Sequence, residues 1–158
     1  MNKVNEIIRN ESYLKALEEI EKLEKERIFC KHNMEHFLSV ARIMEIENCK
    51  RKLGFDEEIL YAAALLHDIG RHLEYQENIP HEKASYELAK TILADTAFTK
   101  NEKEKILKAI ASHRNQEESG KDSLAKLLYK SDKKSRPCFT CPAKAECNWP
   151  DSKKNLVL

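Results

Sequence analysis

Residues 62–72 read AAALLHDIGRH: five apolar residues run directly into a histidine, an aspartate and a glycine. A segment apolar nearly all round is expected in the middle of a protein, and the run predicts a central buried helix over 56–69. Burying an ionised carboxylate beside an imidazole costs several kcal/mol unless something compensates. Either His67-Asp68 lies at a wet helix end, or the pair holds a metal ion.

Working outward, every neighbouring segment also has a helical period. A helix is expected at about 31–50, followed by KLGFDEE (52–58), where Gly54 ends one helix and Asp56 caps the next. Beyond the opening stretch, LEYQENIP (73–80) is expected to be a loop, with Pro80 opening a helix over 81–95. Further helices are expected at 101–113 and 122–134. Residues 3–28 suggest a short helix and a longer one whose stripe is Leu14, Leu17, Ile20 and Leu23. That stripe fits a surface helix with one buried face better than a partner-binding coiled coil. Pro137, Pro142 and Pro150 exclude regular helix from the last twenty residues. No repeat and no β-alternation of useful length is present. The expectation is an all-α protein with a helical arm (1–29), a helical domain (30–136) and an irregular cysteine-containing tail (137–158) packed on or beside it.

Composition agrees with this architecture and limits the function. A chain of 158 residues is long enough for one domain with a real core. Three glycines and four prolines leave little material for tight turns, which favours helices joined by short loops. The net charge of +1 supplies no global field for a membrane surface or nucleic acid. The local exception is 121–136, with six basic residues against two acidic ones. No apolar run reaches the ~18 residues of a spanning helix, and the N-terminus lacks a signal-peptide core, so a cytoplasmic location is expected. The five cysteines are an odd number in a chain without an export signal, which argues against a disulfide framework.

Projected on the helices, the ionisable residues converge. His36 shares a face with Val40 and Ile43, Asp68 with Tyr61, Ala64 and Leu65, and His81 with Ala84, Ser85, Leu88 and Ile92. His113 follows Ile106, Ala109 and Ile110 at helical spacing, and Asp132 follows Ala125 and Leu128. One such histidine is an ordinary core residue. Five helices each turning a histidine or aspartate inward suggest a shared cation, around which these groups become favourable together. Imidazole nitrogen and carboxylate oxygen without thiolate suit iron, manganese, nickel, cobalt or zinc.

The order His36 … His67-Asp68 … Asp132 resembles the H…HD…D pattern of the HD superfamily of metal-dependent phosphohydrolases. HNMEHFLSVARI is similar to the family's first-histidine helix, whose ligand stands four residues before a Val-Ala pair, which selects His36 over His32. LLHDIGR resembles the central motif and LLYKSDKKSR the helix carrying the last aspartate; the resemblance spans about 30–136. HEKASYELAK and AIASHR resemble the branches that hold two metals, among them bacterial diadenosine-tetraphosphate hydrolases. The resemblance implies one ion held by His36, His67, Asp68 and Asp132, and a second by Asp68, His81 and His113. It further implies one-step hydrolysis of a small phosphorylated substrate, a nucleotide above all, by water that a metal has acidified from a pKa of 15.7 to about 7. His67 and Asp68 are then the catalytic pair. Arg71 is the catalytic phosphate contact and Lys133 a further substrate contact, their alternative being surface salt bridges; Arg114 is a weaker candidate. His32 either supports the site or touches substrate, or is structural; His72 is expected to be solvated.

Three further cysteines, Cys138, Cys141 and Cys147, form C-x2-C-x5-C. The first two have the spacing of a zinc or iron–sulfur site, but four thiols are usual. Cys30 or Cys49 would complete the set if the tail folds back on the first-histidine helix; free redox-sensitive thiols are the alternative. Two rivals stand beside the two-metal reading: a single-metal mononucleotide phosphatase, and a catalytically silent metal- or nucleotide-binding sensor. A homo-oligomer is compatible with either, and nucleic acid finds support only in the 121–136 charge.

Overall fold

A computed structural model describes residues 1–113 and 123–157. The described residues form eight α-helices and no strand: α1 (Asn2–Arg9), α2 (Glu11–Leu23), α3 (Met34–Arg51), α4 (Glu57–Leu66), α5 (Arg71–Glu77), α6 (His81–Ala94), α7 (Lys100–Ser112) and α8 (Leu124–Lys134). Two 3₁₀ turns, Cys138–Thr140 and Asp151–Lys153, interrupt the tail. No described helix is long and apolar enough to cross a membrane.

The helix that contains the opening stretch is the axle of the bundle. Residues 59–60 and 62–66 of α4 are buried, and the helix touches α1, α3, α6, α7 and α8. Three consecutive alanines let neighbours approach from several sides, while Leu60, Leu65 and Leu66 fill the spaces between them. Asp56 starts α4 by accepting from the Glu58 backbone N–H at 2.9 Å. Glu58 in turn accepts from the backbone N–H groups of Lys3 (2.8 Å) and Val4 (3.4 Å), so one side chain satisfies two orphan donors at the start of α1. Helix α1 then places Val4 and Ile7 in the same core as α4.

Two local expectations are corrected. The segment 73–80 is not a loop throughout, because Leu73–Glu77 belongs to α5. The buried face of α2 is Tyr13, Ala16 and Ile20, while Leu14 and Leu23 are exposed. The chain reversal before α5 depends on Gly70. A Cβ there would stand 2.3 Å from the Ser85 nitrogen and 2.5 Å from the Ala84 carbonyl carbon, so only glycine lets the turn lie against α6. Its own N–H donates to Ser85 Oγ at 2.9 Å, fixing the approach.

Candidate metal centre

His67-Asp68 does lie at a helix end, and that end is dry. Helix α4 stops at Leu66, His67 is fully buried at its C-cap, and Asp68 is 3% exposed in the following turn. The other histidines and Asp132 stand near helix ends of the same pole. His36 is in the first turn of α3, where the Asn33 cap accepts from its N–H at 3.0 Å. His81 opens α6, His113 is the C-cap of α7, and Asp132 lies in the last turn of α8.

Each of the four histidines is oriented by its Nδ1. His67 Nδ1 donates to the Ala64 carbonyl at 2.7 Å, and His113 Nδ1 to the Ile110 carbonyl at 2.6 Å. Both carbonyls belong to the last turn of a helix, so each ring adds a capping bond to the helix that carries it. His81 Nδ1 meets both carboxylate oxygens of Glu74 at 3.0 Å. Ser135 Oγ donates to the Asp132 carbonyl at 2.7 Å and so receives His36 Nδ1–H at 3.2 Å. With Nδ1 engaged in this way, Nε2 is the ring atom left facing inward, the arrangement found around bound metals.

The Nε2 atoms meet two carboxylates. His36 Nε2 lies 3.4 Å from Asp132 Oδ1, and His67 Nε2 lies 3.3 Å from Asp68 Oδ2 and 3.9 Å from Asp132 Oδ1. The other oxygen of Asp68 faces His81 Nε2 at 3.3 Å and His113 Nε2 at 3.7 Å. In the set His36, His67, Asp68 and Asp132, and again in Asp68, His81 and His113, the ligand atoms lie within 4.8 Å of one another, and either set could hold a metal ion.

The fit to a cation is visible in what the protein groups leave unbalanced. His67 Nε2 and Asp68 Oδ1 are buried and make no hydrogen bond. Burial opposes charge on His36, His67, Asp68 and Asp132. Even so, Asp68 and Asp132 outweigh it at His67 and push its pKa up to about 10, while both carboxyls are held well below the usual carboxylate range. Burial prevails at His36, which falls to about 4. Two buried carboxylates thus demand positive charge, and imidazole nitrogen with carboxylate oxygen is a donor set for a divalent transition metal.

A family model described as HD domain matches residues 33–136. The chain belongs to the HD domain family. This family is, for the most part, one of metal-dependent hydrolases, and the match runs from the α3 cap to the end of α8. A Clostridium beijerinckii protein described as uncharacterized is 43% identical over 158 residues, covering all of this chain and 99% of its own. No solved structure matches.

Around the HD centre is a cavity of about 990 Å³ whose wall includes Asp68, Asp132, Arg71 and Lys133. Arg71 donates from Nη1 to Glu74 at 2.7 Å, with its Nε 3.7 Å from Asp68 Oδ1. Lys133 Nζ lies 2.9 Å from Asp132 Oδ2 and 4.8 Å from the Trp149 ring centre. His32 is at the centre too: its Nε2 is 3.6 Å from Asp68 Oδ2, and its Nδ1 is 2.6 Å from Glu24. His72, expected to be solvated, is half-buried, its Nδ1 3.2 Å from the Ile69 carbonyl. Arg114 lies outside the described residues.

Glu24, Glu74, Ser135 and Arg136 carry the centre's supports, and none was legible in the sequence. Burial raises the Glu24 carboxyl, but hydrogen bonds from His32 and Tyr75 bring it down to about 2. Arg136 Nη2 is 2.9 Å from His36 Nε2 and 3.4 Å from Asp132 Oδ1. The only signal for it was position, one turn after Asp132.

Proposed function

We propose that the protein is a two-metal phosphohydrolase acting on a phosphoester or phosphoanhydride of a nucleotide. One ion would be held by His36, His67, Asp68 and Asp132, the second by Asp68, His81 and His113. The carrying observation is the division of Asp68, one oxygen toward His67 and the other toward His81 and His113.

When bound, such ions supply a Lewis acid for the phosphoryl oxygens and an acidified water. The chain's own residues do the rest. Arg71 would bind phosphate through its fork-shaped guanidinium, a role supported by its position on the cavity wall and its bond to Glu74. Lys133 adds a point charge across the cavity. Trp149 and Tyr129 present flat rings on the same wall, suited to stack a base. Burial lowers the pKa of His32 below its ordinary value, with Glu24 opposing. At neutral pH its Nε2 is therefore free to accept a proton beside Asp68. The cavity's size is at the upper end of the ~300–1,000 Å³ of small-molecule sites, enough for a nucleotide.

The test is turnover of mononucleotides, dinucleotide polyphosphates and generic phosphoesters by purified protein supplied in turn with iron, manganese, nickel, cobalt or zinc. Metal-dependent release of phosphate or mononucleotide is expected, and it should disappear in Asp68→Asn. Nucleotide binding without turnover under every metal would sink the enzymatic reading. Metal content of His81→Ala separates one ion from two. The proposal expects one ion lost and one kept; an unchanged count would leave a single-metal site.

A further inference from the structure

The tail cysteines take no part in the metal centre, yet they open into the same cavity. Cys30, Cys138, Cys141 and Cys147 all line it, whereas Cys49 does not. Cys49 is exposed on α3, with its Sγ 3.2 Å from Glu45 Oε1. No disulfide joins any of the five.

Backbone contacts explain how residue 30 meets residues more than a hundred positions away. Arg136 Nη1 donates to the Lys31 carbonyl at 2.9 Å, which sets Cys30-Lys31 alongside Arg136-Pro137-Cys138. Arg27 Nε donates to the Cys30 carbonyl at 3.0 Å and holds that side of the turn. On the other side, the 3₁₀ turn closes through Cys141 N to the Cys138 carbonyl at 3.3 Å, and Lys144 N reaches the Cys141 carbonyl at 3.3 Å. Asn155 fastens the tail to the end of α8, donating to the carbonyls of Lys133 (2.7 Å) and Arg136 (2.8 Å).

We propose that Cys30, Cys138, Cys141 and Cys147 ligate an iron–sulfur cluster at the mouth of the cavity. Four thiolates are the usual ligand number for such a cluster. The Cys30 thiol responds to the charges of its surroundings as a member of the group: burial pushes it up, Arg136 opposes, and Cys138, Cys141 and Cys147 each push it further up. The spacing separates a cluster from a single zinc ion. Thiolates on one zinc lie about 3.8 Å apart, given Zn–S bonds of ~2.3 Å in a tetrahedron. Among the described residues, the sets whose ligand atoms all come within 4.8 Å are the two histidine–aspartate sets, and no trio of cysteine sulfurs is among them. Thiols too far apart to share one ion, yet lining one cavity, call for a body several atoms across. Arg27, Arg136 and Lys144 on the same wall offset the negative charge that four thiolates bring.

The test uses full-length protein purified without oxygen and assayed for iron, zinc and acid-labile sulfide. About four labile sulfides per chain, with visible sulfide-to-iron absorption, are expected. Sulfide distinguishes this iron from any held at the histidines, and Asp68→Ala should retain it. Cys30→Ser should lose most of the sulfide while Cys49→Ser keeps all of it. Thiol alkylation of the native wild-type protein gives an answer that does not depend on a variant folding: Cys49 should label quickly and the other four slowly. Zinc without sulfide, equal labelling of all five thiols, or full sulfide in a folded Cys30→Ser variant would each overturn the proposal.

Discussion

His67 carries the proton that a metal ion must displace. Its pKa is pushed up to about 10 from an ordinary 6.5, so it is charged at neutral pH when only protein groups surround it. A group raised on folding contributes stability that is complete below about 6.5 and is lost as pH rises toward 10. A metal needs the neutral ring. Titrating manganese into metal-free protein at pH 7 should therefore release about one proton per chain. Calorimetry in buffers of different ionisation enthalpy reads this directly, and a heat independent of buffer would contradict it. Asp68→Ala should empty both histidine–aspartate sets of metal, because both need that carboxylate, while iron that accompanies labile sulfide stays; full occupancy of the two sets in the variant would refute the shared role. The histidines and aspartates of this centre were legible because each recurs on a helical period with apolar neighbours. Glu24 was not. It meets His32 eight residues on and Tyr75 fifty-one residues on, distances at which no periodicity connects them.

At the scale of the elements, period alone was a good guide where the apolar stripe is wide. It located α3, α4, α6, α7 and α8 within a few residues. It failed at α5, whose sequence RHLEYQE has no stripe to detect and buries no residue fully. That helix is held instead by the Arg71–Glu74 pair and by its neighbours α2 and α6. On α2 two stripes one residue apart share Ile20, and the choice between them falls to Tyr13, whose ring is fully buried. The turn from α4 into α5 yields a sharp prediction. Gly70→Ala forces a methyl into the backbone of α6 and should destabilise the fold by about 1–3 kcal/mol, the usual cost of overpacking. Thermal denaturation measures it, and an unchanged melting temperature would show that α5 and α6 can separate without penalty. The side chain at 70 has no φ problem to solve, since the residue is not left-handed.

For the whole molecule, the all-α class followed from composition and period, but the return of the tail onto the centre needed coordinates. Contacts such as Arg136 to Lys31 and Asn155 to Lys133 join polar residues that carry no pattern of their own. The folded-back tail brings Trp149 over Lys133, completing a wall that the helical domain lacks by itself. If that ring stacks a base, Trp149→Ala should raise KM for a nucleotide about tenfold, in line with the ~1–3 kcal/mol of base–aromatic stacking. Metal content and the rate at saturation should stay near wild type. A fall in kcat with KM unchanged would move Trp149 out of substrate binding.

His67 and His113 each close the helix that carries them by bonding to a carbonyl three residues back. Orientation of the rings and fraying of the helix ends are thus one and the same fluctuation. A last turn that opens releases the ring, and a ring held by a metal keeps the last turn shut. Loading with metal should consequently slow amide exchange at residues 67–69 and at His113 itself, whose N–H groups belong to these two terminal turns, while the far ends of α4 and α7 exchange as before. Exchange measured by mass spectrometry, with and without manganese, would register the bundle tightening at one pole.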